Sequence, residues 1–358
     1  MAVPPSQKRV LVAPLDWGLG HATRCIPIIN ELQKQGAEVC VASSGDALQL
    51  LKYEFPGMVF FELTSYEVHY SRTLPFMVSM FFQLPKFIRA VRKEKKEIKK
   101  ITTDNKIDVI ISDNRFGCCV RGITSVFITH QVNILMPLWL KWAAPLINYF
   151  NHRQIRKFDQ CWVPDEDKHC ITGKLTENHP LTLTFIGMLS RLEKRKLTGK
   201  YDLLVLLSGP EPQRTMMEEV IVRQLATWKQ KVLVVRGLVG GNHSDLSVQK
   251  NVMVKNYLNA SDLNTAMEES GLIICRSGYS TIMDLIKLNK NAIFIPTSGQ
   301  TEQEYLAHVL SEKKMAFCIT LDQFNLHEAV KRSSDFLGLS TPLHNDQLLP
   351  AAIKKILL

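Results

Sequence analysis

The sequence gathers its chemistry-capable residues at a few turns. An apolar run at 272–275 leads into Arg276-Ser277-Gly278-Tyr279-Ser280-Thr281. A second apolar run, 292–295, leads into Ser298-Gly299-Gln300-Thr301-Glu302-Gln303, and one carboxylate, Asp284, falls between the two turns. A cation, small hydroxyls, amides and a lone acid at this spacing suit an anionic ligand that also carries hydroxyls. Turn amides and the positive end of a helix take phosphate, and the acid takes ribose hydroxyls. Ser208-Gly209, after the run 202–207, offers another turn of the same kind. In the first half, Gly18-Leu19-Gly20-His21 sets a histidine at the mouth of a glycine-bearing turn. Asp113 and the pair His130-Gln131 follow the runs 108–112 and 125–129. Facing one pocket, His21, Asp113 and His130 would supply a proton acceptor. Taken singly, each reads as a polar residue at a helix start.

Strands and helices must hold these turns in place. Apolar runs at 9–15, 39–42, 59–63, 108–112, 125–129 and 160–163 read as strands, with a helix over 22–35 closed by Gly36. A basic, polar connector surrounds 187–200. The pattern then restarts, with strands at 202–207, 231–236, 251–255, 272–275 and 292–295 and helices at 211–229, 263–269 and 280–288. Repeated strand–turn–helix units imply parallel α/β sheets, whose ligands bind beyond the carboxyl ends of the strands. The expected organisation is a domain over 1–190, a second over 191–342, and a helix over 343–358 that packs back on the first. The turn 18–23 departs from the full GxGxxG fingerprint, because Thr23 ends it and Ser43-Ser44-Gly45 stands where a dinucleotide site needs an acid. A nicotinamide or flavin cofactor is thereby disfavoured.

The chain has 358 residues, 46% hydrophobic and 22% charged, enough for two domains with proper cores. Its 44 basic against 34 acidic residues give a net charge of +10, which favours an anionic partner. The eight cysteines contain no CxxC pair, so buried free thiols in a reducing cytoplasm are expected and a zinc site is not. Asp165-Glu166-Asp167 spells DxD, a carboxylate pattern that can hold metal, but it follows a strand and reads as a helix start. The opening MAVPPSQKR lacks an apolar signal core, and no apolar run has membrane-spanning length. A cytoplasmic protein is expected, with peripheral attachment to the inner face of the cell membrane left open. Two stretches raise that question. Residues 76–82 are apolar and lead through Pro85 into a helix rich in lysine and arginine from Lys86 to Lys100, and 136–150 carries Trp139 and Trp142. Such elements read either as ordinary amphipathic helices or as interfacial ones lying on anionic lipid.

Two α/β halves, Gly18-Leu19-Gly20-His21 in the first, and Arg276-Ser277-Gly278, Thr281 and Asp284 followed by 296–305 in the second, resemble the two-domain GT-B glycosyltransferases. Within them the chain is most similar to the MurG-like N-acetylglucosaminyltransferases. The resemblance implies two Rossmann-like domains facing each other across a cleft, with a nucleotide sugar, a UDP-sugar by family habit, in the C-terminal domain. It implies that Asp284 binds the ribose, where the family usually has glutamate. Ser208 and Gly209 correspond to the phosphate loop, and Ser277, Gly278 and Tyr279 lie near the diphosphate, with Arg276 structural. Tyr257 and Leu258 read the base, and Gln303, with Gln300 beside it, contacts the sugar; Glu304 stands where the family has a second glutamine. On the acceptor side the resemblance points to Gly18, Gly20, His130 and Gln131, with His21 as first candidate base and Asp113 as second. It further implies inversion without a metal and closure over the donor.

Three alternatives stand beside this one. A UDP-sugar 2-epimerase shares the two-domain plan and would release UDP without an acceptor. A non-catalytic protein would bind nucleotide or lipid and release nothing. Nucleic-acid binding would need stacking aromatics among the basic residues, and these are missing. The acceptor is not legible, although charge and apolar stretches point to a lipid-linked or anionic one.

Overall fold

The computed structural model describes residues 7–66, 76–166, 171–209, 211–238, 246, 248–339 and 345–358, with the side chains of 76–78 set aside. Asp167 of the DxD, Cys170, Pro210 and Pro342 lie outside the described residues, as does the front of the 76–82 apolar stretch at side-chain level. The chain forms two compact units. One comprises the chain up to His69 with Met80–Leu189 and Leu343–Leu358, and the other comprises Tyr70–Ser79 and Ser190–Pro342.

The first unit runs β1 (Arg9–Pro14), α1 (Leu19–Lys34), β2 (Glu38–Ser43), α2 (Gly45–Glu54), β3 (Val59–Glu62) and α3 (Phe76–Asp104). It continues with β4 (Val109–Asp113), β5 (Thr124–Ile128), α4 (Ala144–Ile155), β6 (Gln160–Val163) and β7 (Leu183–Phe185). The strands are almost continuously apolar and buried, as strands covered on both faces must be. They pair in parallel in the order β3-β2-β1-β4-β5-β6-β7. The order reverses between β1 and β4, which is where an open parallel sheet forms its ligand crevice. Register there pairs Pro14 with Asp113, and Leu15 N donates to Asp113 O at 2.9 Å. The glycine turn and the acid thus leave the sheet side by side.

The second unit repeats the plan with β8 (Tyr201–Leu206), α5 (Gln213–Leu225), β9 (Val232–Val235), β10 (Val252–Lys255), α6 (Ala260–Glu268) and β11 (Ser270–Cys275). After these come α7 (Tyr279–Leu288), β12 (Ala292–Phe294), α8 (Thr301–Glu312), β13 (Phe317–Cys318) and α9 (Leu326–Ser333). Its parallel sheet is ordered β10-β9-β8-β11-β12-β13, so the reversal falls between β8 and β11. Cys275 pairs with Leu206, which sets the turns at 207–209 and 276–278 next to each other. The final helix, α10 (Leu348–Leu357), returns to the first unit. It buries Ala352, Ile353 and Ile356, and Gln35 Nε2 donates to Pro350 O at 3.0 Å.

Three elements differ from the sequence expectation. Helix α1 starts at Leu19 rather than 22, because Gly18 takes φ +76° and turns the chain at once; Gly20 and His21 therefore lie in its first turn. Helix α5 is shorter than 211–229, since Pro212 stands before its first residue and the chain leaves the helix after Leu225. Helix α3 runs unbroken through Pro85. The carbonyl deprived of its donor there belongs to Phe81, an exposed residue, so water can satisfy it.

Candidate active site

In the first unit, His21 and Arg24 stand three residues apart on one face of α1 and meet Asp113 at the end of β4. Asp113 is fully buried. Arg24 grips both its oxygens, through Nε to Oδ2 and Nη2 to Oδ1, and His21 Nδ1 lies 3.0 Å from Oδ1. The remaining Arg24 nitrogen donates to His130 Nδ1 at 3.0 Å. Burial by itself would raise the Asp113 pKa, but the Arg24 charge, then His21, hold it well below the carboxylate range. His21 Nδ1 lies between Asp113 Oδ1 at 3.0 Å, which can only accept, and Arg24 Nη2 at 2.8 Å, which can only donate; a proton on Nδ1 serves the carboxylate and leaves Nε2 with a lone pair, a proton on Nε2 serves the guanidinium. Burial, then the neighbouring guanidinium, lower the His21 pKa, so the ring is neutral at pH 7. An imidazole held against a buried, ionised acid is an arrangement that can serve as an oriented base. Asp113, sealed and held ionised by Arg24, faces His21 and Arg24 in this geometry.

A second buried network fixes the glycine turn from below. Arg115, fully buried, donates from Nε to Pro14 O at 2.8 Å, from Nη1 to Glu94 Oε1 at 2.7 Å and from Nη2 to Ser44 Oγ at 2.7 Å. Ser44 Oγ donates to Asp16 Oδ2 at 2.8 Å, and Glu94 also accepts from Tyr66 at 2.6 Å and from Gly117 N at 2.8 Å. Glu94 is thus the acid that turns the underside of lysine-rich α3 toward the site. Asp165, from the DxD, is spent on the local fold: it accepts from Glu166 N, Ile171 N, Thr172 N and Thr172 Oγ1. Among the described residues no group of three or more His, Cys, Asp or Glu side chains gathers as a metal cluster. Gln131 follows β5 with its N–H on Thr129 Oγ1 at 3.0 Å.

In the second unit the turns around the β8/β11 reversal lie close together. Gly209 takes φ +104°, and a Cβ built there would meet nothing within 4 Å. Gly237 is packed so tightly on this turn that its Cβ would lie 2.5 Å from Leu207 O. Ser277, fully buried, donates to Gln303 O at 2.8 Å, and Gln303 Oε1 accepts from Thr297 N at 2.9 Å, so two predicted ligand residues also lock two loops together. Gly278 caps α7 in extended conformation, with Thr281 in its first turn; Tyr279 turns its side chain into the core. Gln300 precedes α8, and its N–H donates to Thr297 O at 3.1 Å. Tyr257 and Leu258 occupy the half-buried loop between β10 and α6. Asp284 lies one turn further along α7 than Thr281. Half-buried, it accepts from Ser190 Oγ at 2.6 Å, and burial pushes its pKa up to about 6 against the opposing pull of Ser190 and Arg191. Arg276 is clamped on the backbone carbonyls of Ile295, Pro296 and Gln213.

Sequence reasoning missed Arg24, Arg115, Glu94 and Ser190. A signal existed for Arg24, since it falls among Ala22, Cys25, Ile26 and Ile29 on the buried side of α1, where an arginine needs a partner. Arg115 and Glu94 lie 21 residues apart with no shared pattern.

Comparison with known proteins shows what the chain is similar to. Residues 208–336 match the profile described as the glycosyltransferase family 28 C-terminal domain. A Haemophilus ducreyi protein named UDP-N-acetylglucosamine–N-acetylmuramyl-(pentapeptide) pyrophosphoryl-undecaprenol N-acetylglucosamine transferase is 23% identical, over 97% of this chain and 93% of its own. The chain is a MurG-like GT-B glycosyltransferase. An uncharacterized glycosyltransferase of Methanosarcina mazei is 24% identical, over 85% of this enzyme and 84% of its own length. Among solved structures, the kitacinnamycin glycosyltransferase superposes with TM-score 0.65 at 15% identity, covering 99% of this enzyme and 95% of that chain. The Acinetobacter baumannii MurG does so with 0.53 at 12%, covering 98% and 94%. The enzyme therefore transfers sugar from a nucleotide sugar on a two-domain α/β GT-B fold.

Proposed function

We propose that the enzyme moves a sugar from a UDP-sugar to a hydroxyl of a lipid-linked acceptor, with inversion, using His21 as the base. The observation that supports the reading is the His21–Asp113 contact at 3.0 Å; with the ring proton on Nδ1 donated to Asp113, Nε2 takes the acceptor's proton. The acceptor oxygen attacks the anomeric carbon as Nε2 removes its proton, and the bond from that carbon to the diphosphate breaks. Amides at the starts of α5 and α7, near Ser208, Gly209, Ser277 and Gly278, receive the negative charge that develops; the reading assigns this task to backbone rather than to a metal. Asp284 takes the ribose hydroxyls, Tyr257 and Leu258 flank the base, and Gln300 and Gln303 face the sugar. Gly18, Gly20, His130 and Gln131 border the acceptor.

The relatives' names support uridine and a lipid pyrophosphate, because the Haemophilus ducreyi protein is named for both. Membrane contact has support within the first unit. Phe81, Phe82, Leu84 and Ile88 of α3 are exposed, and so are Leu138, Trp139, Trp142 and Leu146 around a 3-10 turn, Leu138–Ala143. Exposed Arg89, Arg92, Lys93, Lys95, Lys96, Lys99 and Lys100 follow along α3. Apolar side chains beside a basic run suit an anionic bilayer surface. No helix among the described residues is long and apolar enough to cross a membrane.

The test is UDP release from a panel of UDP-sugars, with and without polyprenyl-pyrophosphate-linked sugars in vesicles. Release that requires the lipid acceptor, and is lost in His21→Ala, is expected. Release without any acceptor would point to the epimerase reading, and UDP binding with no release from any pair would point to a non-catalytic protein.

A further inference from the structure

Five arginines are buried among the described residues: Arg24, Arg115, Arg214, Arg236 and Arg276. Four of them meet a carboxylate. Arg24 has Asp113 and Arg115 has Glu94, while Arg214 and Arg236 share Glu218, with Glu211 as a further partner of Arg214. Arg276 has none. At 2% exposure it donates from Nη1 to Ile295 O at 3.2 Å and Pro296 O at 3.0 Å, and from Nη2 to Gln213 O at 2.8 Å; its Nε has no partner. Burial alone draws its pKa down to about 10, with no acid acting in the other direction.

Holding a cation out of water without a counter-charge is costly, and a buried charge is ordinarily paired. The place where this one is tolerated is informative. Arg276 immediately precedes Ser277-Gly278 and the start of α7, and its hydrogen bonds reach the first residue of α5 and the strand end before the 297–300 turn. The amino-terminal ends of both helices carry partial positive charge. Guanidinium and helix ends therefore add with the same sign at one sheet edge.

We propose that Arg276 is the fixed counter-charge for the donor's diphosphate. It acts through its field rather than by contact, and it sets the preference for a nucleoside diphosphate over a nucleoside. This inference rests on the donor reading above and adds to it the residue that supplies the missing charge balance. When the sugar–phosphate bond breaks, the departing diphosphate gains a negative charge. A cation held in a low-dielectric setting then favours the transition state over the bound donor.

Titration calorimetry with UDP and with uridine tests it on wild type, Arg276→Lys and Arg276→Met, with Arg276→Gln replacing the last should it not fold. Lysine keeps the charge and loses the fork; methionine and glutamine lose both. The expected result is that the neutral variants lose about tenfold or more in UDP affinity with uridine unchanged, while Arg276→Lys keeps the UDP-to-uridine ratio within about twofold. Parallel loss of both ligands in every variant would reduce Arg276 to a loop clamp and overturn the inference, as would undiminished UDP binding in a neutral variant. Wild-type protein that binds neither ligand would instead sink the donor reading itself.

Discussion

Ser190 Oγ donates to Asp284 Oδ1 at 2.6 Å, so the carboxylate assigned to the ribose diol is engaged by a hydroxyl of the chain itself. Ser190 also accepts from Leu192 N at 3.1 Å, which fixes the hydroxyl as a local fold feature at the start of the second unit. The proposed ribose binding at Asp284 would then exchange one hydroxyl for another.

Asp284→Ala should weaken UDP binding by about tenfold or more, the scale of a hydrogen bond to a charged group. Ser190→Ala, which removes the competing hydroxyl, should bind UDP at least as tightly as wild type. Calorimetry on both variants checks this; an unchanged affinity in Asp284→Ala removes the acid from the donor site.

Asp284 also makes a pH prediction. Its folded pKa of about 6 exceeds the model-peptide value of 3.8, so between these values the folded state holds a proton that the unfolded state has released. Stability tied to this group is full below about pH 4 and is lost as pH rises through about 6. Asp284→Asn abolishes that loss and should be more stable than wild type at pH 8 by roughly 1–2 kcal/mol, an allowance reduced for its partial exposure. Urea unfolding at pH 5 and pH 8 reads the difference, and equal pH slopes for the two proteins would contradict it.

His21→Ala should lower kcat by about 10²–10⁴-fold while leaving UDP affinity intact. Because the ring's pKa is lowered from 6.5, the acid limb of the wild-type kcat/KM profile should lie below 6.5. An acid limb above 7 would assign the limiting group elsewhere.

Removing Arg24 separates position from protonation. Arg24→Gln leaves Asp113 buried without its main cation, which should cost about 3–5 kcal/mol of stability. The same change takes a positive charge from beside His21, so the acid limb should move to higher pH. A stability loss with an unmoved limb would mean that Arg24 supports the fold and does not tune the base.

Replacing Phe82 and Trp142 by serine should reduce sedimentation with anionic vesicles severalfold without altering secondary structure, because both side chains are exposed, at 72% and 79%. Zwitterionic vesicles supply the control. Equal sedimentation of wild type and variant would discard membrane docking through these residues.

Much of the fold was legible because parallel strands buried on both faces leave unmistakable apolar runs, and β1, β4, β8 and β11 stand within a residue or two of their expected places. The turns were legible for a related reason: glycine and small hydroxyls mark the strand ends. Side-chain pairing was not. Nothing local in the sequence says that Arg115 would reach Glu94 through the underside of a lysine-rich helix, or that Asp284 would turn to Ser190. Such contacts depend on distant segments meeting in space. The inward turn of the Tyr279 side chain onto the apolar face of α7 was equally illegible from its place in a polar turn.

The return of α10 to the first unit has a consequence for how the protein is made. Ala352, Ile353 and Ile356 cover α1 from more than 300 residues away in the chain, so the first unit closes its apolar surface only when its two distant segments meet. Removing residues 343–358 would leave bare hydrocarbon on α1, the kind of surface that chaperones capture.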